Sequence, residues 1–126
     1  MCLEQSQRIL GKGNGSGYAY KVVELINGQM RNYYRNANPT IYEIGVTSEV
    51  TDKKYIYDDY GKRYRCGIHL YVEPIDNQGV SYFDKYDGRT CKNIAVILCK
   101  YERAVSTDGE QLVALKVTPI KIIQQS

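Results

Sequence analysis

The most apolar stretch of the chain, residues 94–99, reads Ile-Ala-Val-Ile-Leu-Cys. An unbroken apolar run of this length is typical of a strand that is buried on both faces. The strand is predicted to continue to Val105, after which residues 107–109, Thr-Asp-Gly, favour a turn. A partner strand is predicted over 112–123, and Pro119 within it indicates a sheet edge or a bulge at that point. This C-terminal hairpin is expected to supply much of the core.

Earlier segments also follow strand patterns. Residues 18–26 alternate Tyr18, Tyr20 and Val22 with Ala19 and Lys21, which predicts a strand. The Asn-Gly pair at 27–28 is the strongest short hairpin signal, because both residue types accept a positive φ.

The strand that returns from this turn is predicted over 30–35 and is rich in arginine and tyrosine, so it can be only half buried. Residues 41–46 can form a further short strand. The polar segment 47–62 is interpreted as a loop with at most one strand or helical turn around 55–57.

A central stretch, residues 63–72, reads Arg-Tyr-Arg-Cys-Gly-Ile-His-Leu-Tyr-Val and contains the chain's one histidine. Its aliphatic residues alternate with His69 and Tyr71, which predicts a strand with a polar start. A short amphipathic helix is predicted over roughly 76–86, although its glycine weakens the pattern.

Together these patterns predict one domain over residues 1–126, with an α+β fold. The predicted architecture is an antiparallel sheet of about five or six strands, built from hairpins, with one or two short helices on one face.

The composition limits the classes of ligand that the chain is expected to bind. The chain contains 13 tyrosines, one phenylalanine and no tryptophan, which suits either strands or half-wet surfaces such as interfaces and ligand walls. The net charge is +3, from 17 basic and 14 acidic residues, without a polybasic tail. This balance argues against polymeric nucleic acid as a partner, but a small anionic ligand needs only a few well-placed arginines.

The four cysteines and one histidine form no familiar metal motif, so neither a metal site nor a cofactor is predicted. No secretory signal precedes them, and no apolar run is long enough to cross a membrane. The thiols are therefore expected to be reduced, in the cytoplasm, with Cys99 a small core residue.

A nucleotide pocket is the best interpretation of the arginine and aromatic residues. Phe83 can stack on a base and Asn93 can read it, while Arg89 or Arg103 can hold a phosphate. The alternatives are that Phe83 is simply a core residue and that the arginines keep strand edges soluble. The predicted ligand-binding residues are Phe83, Arg89, Asn93, Arg103, Arg31, Arg65 and Tyr71.

No catalytic residue is predicted. Cys66 lies three residues before His69, so on a strand the two side chains point to opposite faces about 10 Å apart, which disfavours a Cys–His dyad. His69 is either a strand histidine with a structural hydrogen bond or part of a pocket wall. The carboxylates at 58–59 are interpreted as a solvated loop pair.

Several short motifs resemble the first family of Thoeris anti-defence proteins, which are small phage-encoded sponges. They are the opening Met-Cys-Leu, the glycine-rich loop leading into residues 17–23, the Cys-Gly-Ile-His-Leu-Tyr segment at 66–71, Tyr-Phe at 82–83, Val-Ala at 113–114 and Ile-Lys-Ile-Ile at 120–123. The resemblance implies a non-enzyme in the bacterial host cytoplasm that sequesters cyclic ADP-ribose isomers, and in some members cyclic trinucleotides. It also implies a homo-oligomer, a dimer or a hexamer built from dimers.

Two other classes of function remain open. One is a small nucleotide-processing enzyme, of phosphodiesterase or ADP-ribosyl-transfer type, that uses His69 with Arg65 and a carboxylate. The other is a protein-binding module whose tyrosines form an interface. The shortage of general bases weighs against the enzyme.

Overall fold

The computed structural model describes residues 3–8, 15–32, 41–74 and 94–125. Every regular element within these residues is a β-strand. The strands, in chain order, are β1 Gln7–Arg8, β2 Gly17–Ile26, β3 Gln29–Asn32, β4 Ile41–Tyr42, β5 Ser48–Glu49, β6 Tyr55–Tyr57, β7 Arg63–Arg65, β8 Ile68–Tyr71, β9 Ile94–Thr107 and β10 Gln111–Gln125. Eight of them form one antiparallel sheet, and β6 and β7 form a second, two-stranded sheet.

The α+β class predicted from the sequence is wrong, because the described residues form strands and no helix. The strands are also more numerous than predicted. Backbone ladder bonds do not depend on the side chain, so a polar segment interpreted as loop, Ser48–Glu49, forms the short strand β5 by pairing with β10. The helix predicted over 76–86 lies outside the described residues.

The hairpin of β9 and β10 forms as the apolar run predicts, and it is the longest pairing in the sheet. Its turn is fixed by Asp108, whose Oδ1 accepts bonds from the backbone N–H of Glu110 at 2.9 Å and of Gln111 at 2.7 Å. The predicted irregularity at Pro119 is confirmed, since the register shifts between Pro119 and Lys121.

Four strands pair in a closed circuit. β9 pairs with β10, β10 pairs with β8, β8 meets β2 at Tyr71 and Tyr20, and β2 pairs back with β9 over eight positions. The sheet therefore curls round on itself, and its remaining strands, β1, β3, β4 and β5, extend the edges of this circuit. A sheet that closes in this way encloses one face, which becomes the core.

The enclosed face carries mainly small and aliphatic side chains. Alternate residues of each strand contribute to it, because successive side chains point to opposite faces of the sheet. Ile68 and Leu70 of β8 are buried while His69 and Tyr71 between them are only half buried, which confirms the alternation predicted for this strand. Cys99 is fully buried, as predicted. The principal core cluster consists of Ala19, Val23, Met30, Tyr42, Ile68, Leu70, Ala95, Ile97, Cys99, Ala104, Leu112, Ala114 and Val117.

The Asn-Gly hairpin between β2 and β3 is confirmed. Asn27 and Gly28 have φ values of 51° and 79°, the pair of left-handed conformations that a type I′ turn needs. The register that follows places Leu25 opposite Met30 and Glu24 opposite Arg31. β3 ends at Asn32, and the rest of the predicted returning strand lies outside the described residues.

The second sheet packs on the outside of the circuit. Ile56 of β6 and Tyr64 of β7 are paired neighbours and turn inward, against Leu3 and Val113. Of the two alternatives left open for residues 55–57, the structure has the strand. Because side chains alternate along both strands, the neighbours of Ile56 and Tyr64 turn outward.

Gly67, between β7 and β8, is tightly enclosed, and this generates a stability prediction. A Cβ there would lie 2.8 Å from Val113 Cγ1 and 2.9 Å from the backbone oxygen of Ala114. Because a backbone atom cannot move aside cheaply, we expect Gly67→Ala to lower the free energy of unfolding by about 1–3 kcal/mol in urea titrations. Gly15→Ala is the control, since no atom lies within 4 Å of its Cβ position. Equal effects at both positions would contradict the close packing of Gly67.

Candidate functional site

The side chain of His69 is engaged in a structural hydrogen-bond chain. Its Nε2 lies 3.0 Å from Tyr64 Oη, and the two rings meet edge to face at 5.9 Å between centroids. Tyr64 Oη also accepts a bond of 3.0 Å from the backbone N–H of Leu3. The hydroxyl proton can therefore be donated to Nε2, which accepts it when the imidazole is neutral.

The electrostatics of His69 keep it neutral. Burial and the positive charge of Lys21 lower its pKa to about 4, against smaller opposing effects from a hydrogen bond with the Gly67 backbone and from Asp108. A histidine with so low a pKa is a poor general acid or base at neutral pH. The structural interpretation of His69 therefore fits its surroundings better than a catalytic one.

The residues predicted to bind a ligand are dispersed where the structure describes them. Arg31 is exposed on β3, opposite Glu24 at one end of β2, and bonds to Gln29 Oε1 at 3.2 Å. Arg103 lies beyond the other end of β2, since its near neighbour Tyr101 is opposite Gly17. The length of β2 between these ends is about 23 Å, so Arg31 and Arg103 do not converge on one ligand.

Arg103 is instead held by a neighbour. Its Nη1 lies 3.3 Å from Glu49 Oε1, and both side chains are nearly half exposed. Its φ of 59° is a left-handed conformation that a residue with a side chain adopts rarely. This conformation falls where β9 leaves β2 and turns toward β1, so it is explained by strand geometry. Tyr71 is half buried opposite Gln111, while Phe83, Arg89 and Asn93 lie outside the described residues.

Arg65 is different, because it belongs to a cluster of like chemistry. In the β6–β7 sheet Tyr55 is opposite Arg65, and Tyr57 is opposite Arg63. These four side chains project from the outward side of the hairpin, and we call them the Tyr/Arg face. Tyr55 and Tyr57 are 50% and 61% exposed, which leaves them accessible to a ligand.

The two arginines of the Tyr/Arg face differ in their contacts. The Arg63 guanidinium carbon lies 4.5 Å above the centroid of the Tyr55 ring, a cation–π arrangement. Arg65 Nε is buried and has no hydrogen-bond partner in the part of the chain that the structure describes. A buried guanidinium N–H without an acceptor costs free energy, so an acceptor atom brought to it by an anionic ligand would be stabilising.

The hairpin that carries the Tyr/Arg face is held rigid by Asp58. Its Oδ1 accepts bonds from the backbone N–H of Tyr60 and of Lys62 at 3.0 and 2.7 Å, which close the turn. Its Oδ2 accepts bonds from the backbone and hydroxyl of Ser6 at 2.7 and 2.9 Å. Burial tends to raise the pKa of Asp58, but these hydrogen bonds outweigh it and lower the pKa below its usual value.

Asp58 therefore corrects the prediction of a solvated carboxylate pair, since it is 6% exposed. Neither the burial of Asp58 nor the pairing of Tyr55 with Arg65 can be read from local sequence. The one available signal was composition: residues 52–65 contain five basic and three acidic residues together with four tyrosines. The mixture of cationic and aromatic residues is what a nucleotide surface needs.

The buried amine of Lys21 was also not identified from the sequence. Lys21 lies on the same face of β2 as Ala19 and Val23, and this face is enclosed, which the alternation in the sequence did not specify. Its Nζ donates to the His69 backbone oxygen at 3.0 Å and lies 5.5 Å from the centroid of the Tyr42 ring. Burial lowers the pKa of Lys21 to about 8, although Cys99 partly opposes this. The amine is charged at neutral pH, which accounts for its effect on His69.

Within the described residues, no group of three or more His, Cys, Asp or Glu side chains is placed to hold a metal ion, and no helix is long and apolar enough to cross a bilayer. No protein-family model, curated protein or solved structure matches the chain.

The low pKa of His69 predicts a specific pH dependence. Between pH 6.5 and about 4 the unfolded chain binds a proton at His69 and the folded chain does not, so the free energy of unfolding falls as the pH is lowered through this window. The difference corresponds to about 3 kcal/mol. We expect His69→Gln to lose much less stability than the wild type between pH 7 and pH 4 in urea titrations, because glutamine does not titrate. Parallel curves for the two proteins would contradict the neutral state of His69.

Proposed function

We propose that this protein binds a nucleotide at the Tyr/Arg face and withholds it without cleaving it. The observation that carries the proposal is the unpartnered Nε of Arg65, buried in a hairpin whose two neighbouring tyrosine rings are exposed. A nucleotide matches both features, since it joins an anionic phosphate to a planar base.

The chemistry of each member of the face fits this ligand. A guanidinium group can hold a phosphate through two parallel hydrogen bonds, and Arg65 has an N–H available for one of them. Stacking of a base on an aromatic side chain is worth about 1–3 kcal/mol, and Tyr57 offers an exposed ring. Arg63 is already positioned over Tyr55, so a bound phosphate would meet a second charge without a large rearrangement.

Binding without cleavage is supported by the state of His69. The alternative enzyme uses this histidine as its base, but Nε2 is already bonded to Tyr64 and the pKa is about 4. To act as a base at neutral pH, the imidazole would have to exchange that bond for one to a substrate and would remain weakly basic.

The resemblance to the Thoeris anti-defence sponges suggests the physiological role. On that interpretation the ligand is a cyclic ADP-ribose isomer, or in addition a cyclic trinucleotide, and the protein acts in the cytoplasm of a phage-infected bacterium. The adenine of a cyclic ADP-ribose isomer would match the tyrosines of the Tyr/Arg face, and its diphosphate would match the arginines. The interface alternative would use the same tyrosines to bind a protein, so ligand binding has to be measured directly.

The experiment that tests the function is ligand recovery. The purified protein is incubated with a cyclic ADP-ribose isomer, separated from unbound ligand, denatured by heat, and the released small molecules are identified by mass spectrometry. We expect intact ligand in near-stoichiometric amount, because His69, the base that the alternative enzyme would use, is bonded to Tyr64 and has a pKa of about 4. A cleaved product would overturn sequestration, and release of no ligand would overturn binding of this signal.

The location of the site is tested by substitution. We expect Arg65→Gln to raise the Kd for the cyclic ADP-ribose isomer about tenfold or more, because a charge-assisted bond to phosphate is lost. Tyr57→Ala should raise it by a similar factor through the loss of stacking. Both are measured by calorimetry.

Lys100→Gln serves as the control for a lost positive charge, since Lys100 is exposed on β9 and outside the face. Arg103→Ala tests the position predicted from the sequence. Weaker binding in the Arg103 variant, with unchanged binding in the Arg65 and Tyr57 variants, would move the site away from the hairpin.

A further inference from the structure

The Tyr/Arg face is divided lengthwise into two rows of different chemistry. Both of its tyrosines, Tyr55 and Tyr57, lie on β6, and both of its arginines, Arg63 and Arg65, lie on β7. The register forms two levels, with Tyr55 opposite Arg65 at one and Tyr57 opposite Arg63 at the other. Because neighbouring strands lie about 4.8 Å apart, an aromatic row runs beside a cationic row along the hairpin.

Two parallel rows match a ligand that contains more than one nucleotide. A ligand with a single base stacks on one tyrosine and leaves the other level of the face unused. In a chain of nucleotides, the bases follow one another on one side of the sugar–phosphate backbone, so bases and phosphates also form two rows. Surfaces that bind single strands combine the same two components, since aromatic side chains stack on successive bases and cationic groups follow the backbone.

The spacing of the two levels indicates the conformation of such a ligand. Side chains on one face of a strand recur at every second residue, so the levels lie about 6.7 Å apart. Successive nucleotides of a double helix rise by only about 3.4 Å. A ligand that reaches both levels must therefore have its two bases unstacked from each other and its backbone extended. A linear single strand can adopt this conformation, whereas a base-paired strand cannot.

The contacts within the hairpin leave a stacking surface at each level. The Arg63 guanidinium covers the Tyr55 ring, 4.5 Å from its centroid, and a base can stack on a guanidinium plane as it does on an aromatic ring. At the other level Tyr57 is 61% exposed. The carboxylate of Asp58, which follows β6, accepts bonds from Ser6 and from the backbone of the turn, so it is not directed at the cationic row.

We propose that the Tyr/Arg face binds two consecutive nucleotides of an extended, linear single strand, with the bases along β6 and the phosphates along β7. This inference rests on the proposed function, because it uses the same face, and it narrows the ligand to two linked nucleotides. A cyclic ADP-ribose isomer, with its one adenine, would occupy one level only. The net charge of +3 fits a site of this length, since two arginines neutralise two phosphates and a longer track needs a larger basic surface.

The test is a series of ligands titrated into the unmodified full chain by calorimetry. ADP and the 5′-phosphorylated adenylate dinucleotide each carry two phosphates and differ by the second adenosine. We expect the dinucleotide to bind at least about fivefold more tightly, because its second base also stacks. The corresponding trinucleotide should gain no more than about a further twofold, since the face has two levels. The cyclic dinucleotide with the same two bases and two phosphates should bind at least about fivefold more weakly than the linear one, because ring closure prevents extension.

Substitution places the second base. We expect Tyr55→Ala to remove most of the advantage of the dinucleotide over ADP, whereas Tyr18→Ala should preserve it, since Tyr18 is 62% exposed but lies on β2 of the other sheet. Equal binding of ADP and the dinucleotide would overturn this inference and leave nucleotide binding intact, while binding of neither would overturn the proposed function as well. A cyclic dinucleotide that binds as tightly as the linear one, a third nucleotide that adds as much as the second, or equal effects of the two variants would also overturn the inference.

Discussion

Residues 95–101 of β9 have hydrogen-bonded neighbours on both edges, with β10 on one side and β2 on the other. Residues 106–107 are again paired on both edges, to β10 and β1. A strand placed in this way has its backbone satisfied by other strands, so its side chains can be apolar on both faces. The rest of the sheet follows from this placement. β2 and β10 are set at fixed positions beside β9, and β8 can then bridge them to complete the circuit.

The parts of the fold that sequence could predict are those with local causes. The apolar run of β9, the Asn27-Gly28 turn and the alternation of β8 each carry their own signal, and each is found. The fold class was wrong because helices were expected, whereas the described residues form strands, among them polar segments such as β5 that were interpreted as loop and become strands through pairing. The burial of Lys21 could not be predicted either, since the closure of the circuit decides which face of β2 is enclosed and the local alternation does not.

The candidate site was harder to predict than the fold. Arg65 was selected as one arginine among several, but its neighbours Tyr55 and Tyr57 were not, because cross-strand pairing brings together residues that are far apart in sequence. Arg103 was selected because it follows the most buried strand, yet its position there reflects a change of pairing partner and a contact with Glu49. Sequence could therefore identify the residue types of a nucleotide site, but the register of two short strands decides which of them meet.

The polar groups beneath the Tyr/Arg face give the strongest reason to regard it as a binding surface. Asp58 accepts four hydrogen bonds, and the Tyr64 hydroxyl links Leu3 to His69, so the inner side of the hairpin is well satisfied. Against this background Arg65 Nε stands out as a buried donor on a charged side chain without an acceptor.

Gln111 Oε1 is also buried without a hydrogen-bond partner, but an oxygen on an uncharged amide is less costly to leave unsatisfied than a guanidinium N–H. Local departures from complete hydrogen bonding tend to occur where a protein has a function to perform. An anionic ligand bound at Arg65 would supply the missing acceptor for Nε. The hairpin would at the same time hold the exposed tyrosine rings in position to stack on the base of that ligand.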